Sequence, residues 1–209
     1  MPGLYRSAQK KRKQVISILG MTEESEATRL ALAIANYYAS VQRRVTGYGE
    51  IAKATKLGYM LEESRCVPGN VVGFRDGYLL YYPQLGKQEI GKLMEEDWER
   101  LILDQTMEKD CEILIGSGAM HLLMVDPAPW RYRQIQLGMR NLMENKQLYR
   151  LLMGNAYTYI EEKRWINRFS EEFGINLHKI PWIRDPYCLR REDRKTIEQV
   201  MMQCGKGMM

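Results

Sequence analysis

Asn70-Val71-Val72-Gly73-Phe74-Arg75-Asp76-Gly77-Tyr78-Leu79-Leu80-Tyr81-Tyr82-Pro83 is the stretch whose reading decides the fold. Two β-favouring runs, 70–75 and 78–83, flank Asp76-Gly77, a dipeptide favoured in two-residue type I′ turns because both central residues need positive φ. With a turn that tight, Val72 and Phe74 share a face with Leu79 and Tyr81. A second pair of apolar runs, Cys111 to Ile115 and Met120 to Val125, is separated by Gly116-Ser117-Gly118-Ala119 and reads as another hairpin. Hairpins without regular βαβ alternation predict an α+β fold. Helices are expected to pack on a small antiparallel sheet built from two hairpins, about 70–83 and 111–125, with helical N- and C-terminal parts.

Around these runs the period is helical. Leu4 to Leu19 predicts a helix ended by Gly20. Thr22 suits an N-cap, Glu23 and Glu24 complement the helix dipole, and Leu30, Ile34, Tyr37, Tyr38 and Val41 recur at helical spacing, so a helix should run to about Arg44. Thr46-Gly47-Tyr48-Gly49 breaks it, and a short helix is expected from Glu50. Lys87 to about Met107, Trp130 to about Met153, a segment reaching Phe173 and a tail over Arg191 to Met202 complete the helical part, with Ile175 to Ile180 as one further strand. The cations of the first twenty residues predict a basic arm over 1–20, and length predicts a single α+β domain over 21–209.

Charge placement points to partners. Arg6, Lys10, Lys11, Arg12 and Lys13 account for the whole net charge of +5, leaving a neutral body. Within the body, residues 85–112 are strongly acidic. Residues 128–154 carry Arg131, Arg133, Arg140, Lys146 and Arg150 against Glu144 alone, with Trp130, Tyr132 and Tyr149 interleaved. Arginine forks suit phosphate and aromatic faces suit unstacked bases. The first expectation is therefore an accessory or regulatory protein that contacts nucleic acid through Arg6, Lys10, Lys11, Arg12, Lys13, Arg131, Arg133, Arg140 and Arg150. A second is a structural or assembly subunit in which acidic and basic helices meet between protein partners or between copies. A third is a metal-dependent enzyme on phosphate esters, with Asp97 and Asp104 on one helix meeting Asp126 at a strand end.

Other signals are weaker. Glu50 to Gly58 resembles the start of a helix-turn-helix, with the Asp76-Gly77 hairpin as a wing, but Ser64 and Pro68-Gly69 spoil the recognition helix. Gly116-Ser117-Gly118 lacks the following lysine and helix of a phosphate cradle. His121 and His178 have no nucleophile motif beside them. The loop Trp182-Ile183-Arg184-Asp185-Pro186-Tyr187 either binds a ligand or pins the C-terminus. Four separated cysteines, Cys66, Cys111, Cys188 and Cys204, suit reduced thiols. No apolar run approaches a membrane span and no cleavable leader is evident, so a cytoplasmic location is expected. The sequence points to no catalytic constellation, cofactor or resident metal.

Overall fold

The computed structural model describes residues 13–22, 26–51, 71–106 and 119–206. Its frame is an eight-stranded sheet in the order β3-β4-β2-β5-β1-β6-β7-β8. The strands are β1 (Gln14–Gly20), β2 (Thr46–Ile51), β3 (Phe74–Asp76), β4 (Leu79–Tyr82), β5 (Arg100–Thr106), β6 (Met120–Met124), β7 (Ala156–Thr158) and β8 (Leu177–Lys179). Every pairing is parallel except β3 with β4. The helices are α1 (Ala27–Asn36), continued by a π-helical turn (Tyr37–Val41), then α2 (Lys87–Leu93), α3 (Tyr132–Glu144), α4 (Lys146–Leu152), α5 (Lys163–Phe173) and α6 (Arg191–Lys206).

Alternation along β1 explains the layering. Ile16 and Ile18 point to one face, where they pack with Leu30, Ala31 and Ile34 of α1 and Ile197 and Val200 of α6. Leu19 points to the other, against Ile135 and Met139 of α3 and Phe169 of α5. Val15 shares that second face with Leu101, Leu103, Trp98 and Ile90. Both faces are covered, the condition under which parallel strands become continuous apolar runs.

The expected small antiparallel sheet of two hairpins is therefore wrong. The first hairpin exists as β3–β4, with Phe74 stacked on Tyr81 at 4.5 Å and Gly77 at φ 56°, yet it is only one edge of the sheet. Its loop is Gly77-Tyr78, one residue later than expected, and Val72 is exposed. Met120–Met124 pairs parallel with β1, so it is a central strand and no hairpin partner; residues 107–118, with Gly116-Ser117-Gly118, lie outside the described residues.

Three helix expectations fail for related reasons. Gln14–Gly20 is β1, because six consecutive buried positions need both faces covered. Thr46-Gly47-Tyr48-Gly49 is β2 and not a break: a Cβ on Gly47 would sit 2.9 Å from Leu101 Cδ1, so glycine there makes room for the neighbouring strand. Since Glu50 and Ile51 finish this strand, the helix-turn-helix reading loses its first helix. The predicted 87–107 helix stops at Leu93, and Arg100–Thr106 becomes β5. Among the described residues, no helix is long and apolar enough to cross a membrane.

Candidate functional site

β1 has β5 on one side and β6 on the other, while its own chain continues through α1 to β2 beyond β5. Such a reversal of strand order opens a crevice at the carboxyl ends of the strands, where doubly wound sheets bind ligands. The rungs there remain tight: Met21 N–H donates to Met124 O at 2.9 Å, Val125 N–H to Tyr157 O at 2.9 Å and Ile180 N–H to Thr158 O at 2.9 Å. Beyond them lies a cavity of about 200 Å³ lined by Glu26, Val125, Asp126, Arg131, Tyr159, Ile160 and Trp182.

Its walls are held by side chains from four elements. Asp126, two residues past β6, accepts from Ala128 N–H at 3.3 Å and forms an ion pair with Arg131. Tyr159 sets its ring edge-on to Trp182 at 5.1 Å; its buried hydroxyl has no hydrogen-bond partner, and burial raises its pKa. Arg29 of α1 stacks its guanidinium on Trp182 at 4.3 Å. It also donates to Glu26 Oε2 at 2.9 Å and to the carbonyls of Ile183 at 3.2 Å and Arg184 at 3.0 Å. One helical stretch further, Asn36 donates to the carbonyls of Pro186 at 3.1 Å and Tyr187 at 2.8 Å. The loop 182–187 thus both lines the cavity and is pinned along α1.

The head of α1 is acidic. A phosphate-binding strand–loop–helix places G-x-x-x-x-G-K-[ST] here, so that amide groups, a lysine and a hydroxyl converge on the anion and its Mg²⁺. In this chain the same spacing reads Gly20-Met21-Thr22-Glu23-Glu24-Ser25-Glu26-Ala27. Serine stands for the second glycine, glutamate for the lysine and alanine for the hydroxyl. Glu26 caps α1 in a left-handed conformation, φ 60° and ψ 19°, with no side-chain bond to the helix end. Its carboxylate answers the helix dipole that a phosphate would otherwise answer. Asp126, where a Mg²⁺-holding carboxylate would stand after the strand, is committed to Arg131. These residues do not fit a magnesium-bound triphosphate.

Nearby, on the α1 face of the sheet, Tyr48 donates to Asp104 Oδ2 at 2.8 Å, and Glu50 is in register with Asp104 across β2–β5. Both acids are buried. Burial and the two carboxylates push the Tyr48 hydroxyl far above the usual tyrosine range, so it stays a donor.

Among the described residues expected to bind nucleic acid, Lys13 stands apart from Arg131, Arg133, Arg140 and Arg150. Arg6, Lys10, Lys11 and Arg12 lie outside the described residues. Lys13 is tied to the sheet's N-terminal edge, donating to the carbonyls of Met94 at 3.3 Å and Glu96 at 2.6 Å and sitting 4.8 Å over Trp98. Arg131 is at the opposite edge, roughly 20 Å away along the length of a strand, and is paired with Asp126. Arg133, Arg140 and Arg150 are exposed on α3 and α4. The metal trio separates likewise. Asp97 is exposed in the turn before β5, Asp104 is inside β5, and Asp126 follows β6. Among the described residues no group of three or more His, Cys, Asp or Glu side chains could hold a metal ion.

Glu26, Arg29 and Tyr159 were not anticipated. The available signal was the spacing from Gly20 to Ala27 after an apolar run, which is masked when Gly20 is taken as a helix stop.

No family model matches the sequence, and no curated protein matches it. Solved structures do match in fold. A MinC:MinD cell division protein complex from Aquifex aeolicus is 16% identical, covering 90% of this chain and 96% of that one with a TM-score of 0.63. A putative plasmid partition protein from Borrelia burgdorferi B31, bound to AMPPNP, is 10% identical over 94% and 99%, with a TM-score of 0.63. Cobyrinic acid a,c-diamide synthase from Mycobacterium smegmatis, with bound ADP and magnesium, is 11% identical over 93% and 96%, with a TM-score of 0.62. The expectation of a nucleic-acid-binding accessory protein on a small α+β scaffold is thereby overturned: the matching structures are those of MinD, plasmid partition and diamide synthase proteins, two of them with bound nucleotide. The chain has the doubly wound α/β fold seen in MinD, plasmid partition and diamide synthase structures.

Proposed function

We propose that the protein is a non-hydrolysing version of this nucleotide-handling architecture that works by binding a protein partner. Glu26 carries the reading: a carboxylate occupies the position where phosphate binding needs a lysine, at the head of a helix that follows the central strand. AMPPNP and ADP with magnesium are bound on the same fold in two neighbours, and a third neighbour is a protein–protein complex. With the phosphate end of the crevice repelling anions, assembly is the part of that repertoire this chain retains. Calorimetric titration with ATP, ADP and AMPPNP in the presence of Mg²⁺, alongside a phosphate-release assay, is the test. No saturable binding and no release above blank are expected. Micromolar affinity for a triphosphate, or release that disappears in Asp126→Asn, overturns the proposal.

The cavity favours one further reading. Tyr159, Ile160 and Trp182 supply apolar walls to the cavity that Glu26 also lines, a setting that suits the base and sugar of a nucleotide held without grip on its phosphates. Adenosine binding better than ATP supports it; equal silence from both removes it.

A further inference from the structure

We infer that the outer face of α3 docks an acidic amphipathic helix of a partner protein, an inference that rests on the partner-binding reading above. Trp130 is 77% exposed and Leu137 55% exposed, the two largest apolar exposures along this segment. Leu137 lies on α3, and Trp130 in the turn that leads into it. Tyr132, Ile135, Met139 and Leu142 are buried, which fixes the rotation of α3 and turns Leu137 outward; with Trp130 it makes the exposed apolar ridge of this segment.

The platform is rigid. Tyr132 donates to Glu172 at 2.8 Å and Gln136 to the same carboxylate at 2.6 Å, anchoring α3 to α5, while Arg168 stacks on Tyr132 at 4.4 Å.

Arg133 and Arg140, seven residues apart, run beside the ridge on one flank, exposed and without an ion pair to any described residue. An exposed apolar pair with cations beside it matches an amphipathic helix whose apolar face is bordered by carboxylates. Exposed tryptophan and arginine are the residue types that dominate interface energetics. A second copy docking by this face is the poorer occupant: antiparallel pairing about Leu137 sets Arg133 against Arg140 of the other copy. A phosphate backbone would satisfy the arginines and leave Leu137 in water. The ridge starts one residue before Arg131, which reaches Asp126 on the cavity wall, so a docked helix would end beside the crevice.

The probes are three synthetic four-turn peptides: one with leucines at i, i+3, i+4 and i+7 bordered by glutamates, its lysine-for-glutamate counterpart, and a scrambled acidic peptide. Fluorescence anisotropy with the full chain should show binding of the acidic amphipathic peptide roughly tenfold or more tighter than either control, weakening as salt rises. Trp130→Ala should abolish that advantage, and the double change Arg133→Glu with Arg140→Glu should transfer it to the lysine peptide. All three sites are exposed, so unchanged melting temperatures verify the fold. Equal binding of the three peptides, or indifference to these substitutions, overturns the inference. So does displacement of the peptide by an oligonucleotide, or a dimer that Leu137→Glu dissolves. ATP turnover would sink the underlying reading; peptide failure without turnover sinks only the docking face.

Discussion

Rewriting Ser25→Gly, Glu26→Lys and Ala27→Thr gives the strand-to-helix turn the phosphate-binding pattern while leaving Gly20 in place, and should create affinity for ADP with Mg²⁺. Two unit charges about 4 Å apart interact by about 4 kcal/mol at an effective dielectric near 20. The Glu26 side chain is 40% exposed, so solvent and salt reduce this to about 2 kcal/mol. Changing its sign removes that repulsion and adds a comparable attraction. The swing is about 4 kcal/mol, roughly a thousandfold in Kd. Glu26→Gln alone should recover half of it, roughly thirtyfold. The fold should tolerate both: Arg29 loses an i,i+3 ion pair worth about 0.5 kcal/mol and keeps its carbonyl partners and its stacking on Trp182. Isothermal calorimetry at fixed ionic strength reads the series. Wild-type affinity within tenfold of the triple variant, or a triple variant that stays silent while its melting temperature is unchanged, refutes the claim that Glu26 closes the site.

Other outcomes follow from single side chains. His121 is buried with Nδ1 unpartnered, and burial holds its pKa below the usual imidazole value. Below about pH 6.5 the unfolded chain therefore binds more protons than the folded one, so stability is full above that pH and falls beneath it by up to about 1.4 kcal/mol per pH unit. Urea midpoints measured across this range should flatten in His121→Gln; an unchanged slope assigns the effect elsewhere. Burial pushes the Cys204 thiol up to about 11, whereas Cys188 is exposed. Iodoacetamide at about pH 8 should label Cys188 in the native protein and Cys204 only after denaturation; peptide mapping that finds both labelled alike contradicts the burial of α6. Arg29→Ala should free the carbonyls of Ile183 and Arg184, with a loss of about 2 kcal/mol and faster amide exchange across 182–187. Arg29→Lys should not restore protection, because an ammonium cannot reproduce the planar fork that meets two carbonyls, a carboxylate and a ring together.

Turn chemistry was legible because it is local. Asp76-Gly77 announces a hairpin, and β3–β4 is there, one residue out of step. The rest of the sheet is non-local: Gln14 pairs with Arg100, and Thr46 with the same residue from the other side. A strand covered on both faces loses the alternation that would mark it, so Gln14–Gly20 and Arg100–Thr106 merged into neighbouring helical patterns. Gly47 and Gly49 read as a break when their task is to let Leu101, Leu85 and Leu103 approach. The positive charge of residues 128–154 is plain in the sequence, and what it lacked was geometry: only the burial of Tyr132, Ile135, Met139 and Leu142 tells that Arg133, Leu137 and Arg140 face outward.

Glu23, Glu24 and Glu26 show why the site stayed hidden. Carboxylates before an alanine- and leucine-rich run are what a stable helix start looks like; α1 nevertheless begins at Ala27, with Glu26 and not Thr22 at its cap and no acidic residue in its first turn. Their second meaning exists only once β1 is known to precede them, β6 to lie alongside, and the crevice to open above. In that setting an acid at the helix head is also an anion placed where the fold receives one from a ligand. On the proposed reading, the Glu26 charge at the head of α1 stands where a phosphate would. A nucleotide bound there would meet repulsion at the helix head, whereas the left-handed strain at Glu26 is present whatever the protein binds.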